Sequence, residues 1–221
     1  MKHLLYKEFK LAVPPLAYFL IILMAMSALS PAFPSFVPLI YMAATYTFLF
    51  IGMNKTTTTN DLYYTCTLPI KREDVVKARV LTVAVVQLVE ILLVFAFMSI
   101  ATFVFGGDSM QVSLNMRQPI VLLAAYLVSF SVYDLIYLPW FYKTGKSIIP
   151  NMLVGALVTT IVAAALTIVP FFIAKEASTV GLENSNYILQ FGLLLASIGI
   201  YICVKLLVVK LSTKNLKKLD F

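Results

Sequence analysis

Residues 80–105 read VLTVAVVQLVEILLVFAFMSIATFVF, and in that whole stretch only Glu90 carries a formal charge. A bilayer-spanning helix needs roughly 20 mostly apolar residues, because about 30 Å of hydrocarbon is crossed at about 1.5 Å per residue. The stretch is long enough, and as a helix it satisfies its own backbone hydrogen bonds, which lipid requires. Five further stretches have the same character: 11–30, 36–53, 119–141, 148–174 and 187–209. The composition agrees, with 61% hydrophobic and 12% charged residues in a chain of 221 and a mean hydropathy of +0.94. A globular core cannot hide that much apolar surface. The expected fold class is all-α: a polytopic integral membrane protein with six transmembrane helices in a single domain over 1–221.

The largest segment outside these spans is 54–79, which leaves no room for a soluble catalytic or nucleotide-binding domain. Any energy source beyond an ion gradient must come from a partner. Short cytoplasmic loops collect Lys and Arg. With the N-terminus inside, Lys2, Lys7, Lys10, Lys55, Lys71, Arg72, Lys77, Arg79, Lys143, Lys146 and the lysines from Lys205 to Lys218 fall on the cytoplasmic side. Only Arg117 and Lys175 of the seventeen basic residues fall outside. Both termini are therefore expected in the cytoplasm, with the chain crossing the cell membrane. The net charge of +7 reads as a topology signal and a contact with anionic headgroups, not as a nucleic-acid footprint. A cleaved signal peptide at the start competes with this reading, but its removal leaves five spans and puts the termini on opposite sides, against the charge count.

Enzymatic chemistry finds few candidates. The single histidine, His3, lies at the N-terminus, so histidine triads and HExxH zinc sites have no basis, and no catalytic residue, metal or cofactor is expected in this chain. Cys66 and Cys203 fall in a cytoplasmic loop and in the last span, where a disulfide is not expected, and they make no metal pattern. The fragment Gly145-Lys146-Ser147 resembles the end of a phosphate-binding loop. That loop needs a glycine five positions before Gly145, where Trp140 stands, so the fragment reads as a turn.

Residues 2–12 read as an interfacial helix, with Leu4, Leu5, Phe9, Leu11 and Ala12 on one arc and Lys2, Tyr6, Lys7 and Lys10 opposite; Glu8 interrupts the apolar arc. Pro14-Pro15 then supplies a bend into the first span. In the loop 54–79, Leu68-Pro69 breaks the chain before a helix from Ile70 to Arg79 that pairs Glu73 with Lys77 and carries Lys71, Arg72 and Asp74 on its surface. This helix is either a juxtamembrane extension with basic anchors or a rigid element on which a cytoplasmic partner docks.

The stretch Thr67-Leu68-Pro69-Ile70-Lys71-Arg72-Glu73-Asp74-Val75-Val76-Lys77-Ala78-Arg79 resembles the first cytoplasmic loop of ABC-2 type transporter permeases. A second stretch, Leu138-Pro139-Trp140-Phe141-Tyr142-Lys143-Thr144-Gly145-Lys146, is similar to the segment that ends the fourth helix in a small branch of those permeases, which includes exporters of phenol-soluble-modulin-like peptides. The resemblance implies a type V exporter-like fold in which two permease copies, as homo- or heterodimer, each receive an ABC ATPase subunit that binds ATP and magnesium. It implies an ATPase-docking coupling helix at Leu68, Pro69, Lys71, Arg72, Glu73, Asp74 and Lys77, and a second cytoplasmic contact at Lys143, Gly145 and Lys146. The segment 175–186 is shorter than the outer helical segment of larger members.

Within the spans, an ionised Glu90 or Asp134 facing lipid costs about 2.5–3.5 kcal/mol on insertion scales, so neither is expected to do so. Each either lines a substrate cavity or is neutralised in place, and Lys205 lies at a compatible depth for Asp134. Tyr41 and Tyr46, with Phe48 and Phe50, either wall the cavity or pack against lipid and neighbouring helices. Pro150 and Pro170 are expected to bend the fifth span. Two other functions fit a chain of this kind: a substrate-capture subunit of a vitamin importer, and a non-transporting immunity or sensor-partner membrane protein.

Overall fold

The computed structural model describes residues 2–12, 15–26, 65–66, 69–105, 119–144, 153–166 and 187–218, among which every regular element is helical. Helix α1 spans Lys2–Lys7 and runs into a π-helical turn at Glu8–Ala12. Helix α2 spans Pro15–Met26, opening on a proline whose missing N–H costs nothing in the first turn. Helices α3, α4, α5 and α6 span Arg72–Phe105, Pro119–Thr144, Leu153–Leu166 and Tyr187–Lys217. Among the described residues, three segments are long and apolar enough to cross a membrane: Arg72–Phe97, Leu123–Lys143 and Gln190–Lys217. The stretch 36–53, with Tyr41 and Tyr46, lies outside the described residues, as do Pro150 and Pro170.

Three boundaries differ from the sequence reading. Helix α3 starts at Arg72, because Pro69 and Ile70 form a bend and the Lys71 carbonyl accepts the first helical bonds, from the N–H of Asp74 at 2.9 Å and of Val75 at 3.4 Å. Helix α4 continues to Thr144, past the end expected at 141, with Pro139 inside it. The Pro139 carbonyl takes a bond from Asn215 Nδ2 at 2.8 Å, which ties this turn to α6. The last helix does not end at 209, where the apolar run stops. Helix α6 runs without a break to Lys217, because nothing from Lys210 onward breaks a helix and Leu216 is fully buried there.

Helix α4 holds the core. Tyr126, Tyr133, Tyr137, Leu138 and Tyr142 are all buried on it, and the rings of Tyr133, Tyr137 and Phe141 stack in succession at 5.6 and 6.1 Å. Its most extensive partner is α6, while α3 touches α6 and α2 and, more lightly, α1 and α4. Outward-facing residues are apolar: Leu195, Ile202 and Leu206 on α6, Leu92 and Phe103 on α3. That distribution suits a bundle whose solvent is lipid. Several hydroxyls are satisfied within their own helices, Thr82, Ser129, Ser131 and Thr159 each donating to the carbonyl four residues back.

Helix α5 meets α4 at Gly155, where an added Cβ stands 3.2 Å from Tyr133 Cε2. Gly155→Leu is expected to destabilise the bundle by about 1–3 kcal/mol, the usual cost of overpacking. Gly199→Leu, at a position with open space around its Cβ, is expected to change stability by less than about 0.5 kcal/mol. Thermal unfolding of the two variants in mild detergent separates these outcomes.

Candidate functional site

Polar side chains collect in two places on this apolar frame. The first is the end of the bundle where α3 begins and where α4 and α6 finish. Glu8, in the π-helical turn after α1, forms a two-pronged pair with Arg79 of α3: Nε–Oε2 is 3.1 Å and Nη2–Oε1 is 3.3 Å, with both side chains 3% exposed. The Arg79 guanidinium also lies 5.7 Å from the Phe141 ring centroid on α4. Lys7 Nζ donates to Thr65 Oγ1, and Arg72 Nη1 donates to the Leu216 carbonyl at 3.3 Å. That carbonyl belongs to the last turn of α6 and has no partner within the helix. Together with the Asn215–Pro139 bond, these contacts join α1, the segment before α3, α3, α4 and α6 at one junction.

The docking residues expected from the sequence sit on the outside of this junction. Pro69, Lys71 and Glu73 are exposed, Arg72, Asp74 and Lys77 half-buried. Glu73 and Asp74 lie in the first turn of α3, where the helix dipole favours acidic side chains. Glu73 pairs with Lys77 at 2.5 Å, but with both side chains nearly half exposed the pair adds little stability. Lys143 is exposed in the last turn of α4, whereas Leu68, Gly145 and Lys146 lie outside the described residues. Cys66 is half-buried beside Lys7, Arg72 and Arg79; burial pushes its thiol up despite those cations. It is therefore kept as a thiol near neutral pH.

The second place is the middle of the bundle. Asp134 Oδ2 accepts from Lys205 Nζ at 2.6 Å and from Gln87 Nε2 at 3.1 Å. Gln87 Oε1 in turn accepts from the Tyr201 hydroxyl at 2.6 Å, and Lys205 lies 5.0 Å from the Tyr201 ring centroid. Of its two possible fates, Asp134 has the internal ion pair. The network joins α3, α4 and α6 and leaves no unpaired charge. Glu90, one turn beyond Gln87, is different: it is 1% exposed and neither carboxylate oxygen has a hydrogen-bond partner.

Three participants were not legible from the sequence. Glu8 looked like an interruption of an apolar arc, yet an acid on a buried face is itself the sign that a cation comes to meet it. Gln87 and Tyr201 gave a weaker signal, since a lone amide or phenol within a span marks an interhelical bond without naming its partner. Among the described residues, no three His, Cys, Asp or Glu side chains come together in a way that could hold a metal ion.

A family model described as ABC-2 family transporter protein matches residues 3–215 of this chain. The chain belongs to the ABC-2 transporter family. It is thus a polytopic all-α membrane protein and a permease subunit of an ABC transporter, a system that includes an ATPase partner. Comparisons with curated proteins and with solved structures give no match. In this permease the junction at the start of α3 is the part that brings exposed charged residues onto a braced helix end, and the central network is the part that fixes α3, α4 and α6 to one another.

Proposed function

We propose that this ABC-2 permease is the membrane-spanning subunit of an exporter in the plasma membrane, moving an amphipathic cargo of the peptide class outward with ATP hydrolysed by a separate subunit. Two permease copies, identical or not, form the pathway, because six helices enclose too little space for such a cargo. Each receives one ATPase subunit at Pro69, Lys71, Glu73 and Lys77, with Leu68, Arg72 and Asp74 shaping that helix start and Lys143, Gly145 and Lys146 giving a second contact. ATP and magnesium belong to the ATPase; this chain supplies no catalytic residue. Both termini face the cytoplasm, a reading that the distribution of basic residues supports.

The observation that carries this reading is the braced junction. Lys71 and Glu73 project from a helix start whose neighbours Arg72 and Arg79 grip the end of α6 and the turn after α1. A force applied at the exposed residues therefore reaches three helices at once. The reading is tested by extracting the tagged permease from its native cells in mild detergent and identifying the bound proteins by mass spectrometry. An ABC ATPase is expected. Reversing both exposed charges, Lys71→Glu with Glu73→Lys, is expected to lower its recovery by roughly tenfold or more, since like charges placed across an interface cost several kcal/mol. Thermal unfolding should be unchanged, because both side chains lie on the surface. Recovery of the ATPase at the wild-type level would overturn the docking assignment, and ATP hydrolysis by the purified permease alone would overturn the division of labour.

A further inference from the structure

Three carboxylates are buried among the described residues: Glu8, Glu90 and Asp134. Glu8 has Arg79 and Asp134 has Lys205, each through direct bonds to the charged oxygens. Among the described residues Glu90 has no cation, and neither of its oxygens accepts a hydrogen bond. On α4, Tyr126 is fully buried and close enough to Glu90 to feel its charge, and among the described residues its hydroxyl is also without a partner. The two side chains lie at matching heights, each about 27 Å along its helix from the α1 end of the bundle at about 1.5 Å per residue. Buried polar atoms are nearly always bonded, so two orphaned groups at one depth on facing helices mark a place where something binds.

We infer that Glu90 and Tyr126 form the binding point for a cationic group of the transported molecule, a primary ammonium of the lysine type; this rests on the export reading above. A primary ammonium carries three N–H donors and no acceptor. Two suit the carboxylate oxygens of Glu90 and the third the phenol oxygen of Tyr126, giving charge-assisted bonds where lipid and protein exclude water. Among the described residues no cation takes this role: Arg79 and Lys205, the buried ones, are each bonded to another acid. The site lies on the seam between α3 and α4, which is far more lightly packed than the seam between α4 and α6. The cation therefore enters at a seam with less contact to lose than the one between α4 and α6. An amphipathic molecule lays its apolar side along the exposed face of the span and is fixed in depth by this one polar contact.

The test uses the full-length permease in nanodiscs of uncharged phosphatidylcholine and two fluorescent amphipathic helical peptides, alike except that one carries Lys where the other carries Gln. Partition into empty nanodiscs is subtracted. The wild type is expected to bind the Lys peptide at least tenfold more tightly. Glu90→Gln should reduce that preference to within about twofold, and Glu90→Asp should keep most of it. A wild type that binds both peptides alike overturns the site, and so does a Glu90→Gln variant that retains the preference, which would show a proton in place of the cation. Should that variant fail to fold, carbodiimide labelling of Glu90 in the wild type decides: blocking by the Lys peptide alone supports the site, and equal or absent blocking by both overturns it. Failure of the export reading appears separately, as a permease–ATPase complex in proteoliposomes that transports neither peptide although the binding preference stands.

Discussion

Arg79→Met is expected to destabilise the permease by about 3–5 kcal/mol, because it removes one partner of a buried pair and leaves the Glu8 carboxylate stranded at 3% exposure. The loss falls mainly on the junction, where α1 and its π-helical turn come away from α3. A double variant, Glu8→Leu with Arg79→Met, is expected to recover most of the stability, since two apolar side chains of similar volume need no pairing. Chemical unfolding of the three variants in detergent supplies the cycle. The recovered double variant then separates stability from function: with the fold restored but the charged link gone, ATPase capture should persist through the untouched Lys71 and Glu73 while transport falls. Full transport by the double variant would show that the pair serves stability alone.

Lys205→Met is the second large effect, with an expected loss of about 2.5–3.5 kcal/mol, the insertion cost of an unpaired charge at the centre of a bilayer helix. Asp134 is fully buried, and its short side chain cannot reach an interface. The bond it takes from Gln87 Nε2 is a neutral one. Asp134→Leu is expected to cost less, because the long stem of Lys205 lets its ammonium turn toward the headgroups. Thermal unfolding in nanodiscs should therefore rank the wild type first, Asp134→Leu second and Lys205→Met last. The reverse order would mean that the carboxylate finds another cation more readily than the ammonium finds water.

The strongest parts of this fold were legible because lipid imposes a simple rule on sequence. Long apolar runs such as 80–105 and 119–141 have one outcome in a bilayer, and the structure has continuous helices over both. The isolated charges Glu90 and Asp134 also announced themselves, since an acid in such a run must be buried or neutralised. Boundaries and pairings were harder. The end of α6 misled because Lys210, Lys214 and Lys217 look like a solvated tail, whereas the burial of Ser212, Thr213 and Leu216 on its other side keeps it helical. The last turn of α4 beyond Phe141 was missed because the bond that steadies it comes from Asn215 of α6, which no local reading contains. Glu8 was placed on the right face and given the wrong meaning, because Arg79, 71 positions away in sequence, supplies its reason.

The unbroken course of α6 has a mechanical consequence. A helix of 31 residues is about 46 Å long, so a tilt of about 5° about one end displaces the other by about 4 Å. The far end of this rod carries the Leu216 carbonyl held by Arg72, and its middle carries Lys205 held by Asp134. Any such tilt must therefore draw the first turn of α3 along with it or break that bond, while the centre of the rod, nearer the pivot, moves only half as far. Geometry alone makes α6 an amplifier: small rearrangements among lipid-embedded side chains become displacements of several ångströms at the surface where Lys71 and Glu73 stand.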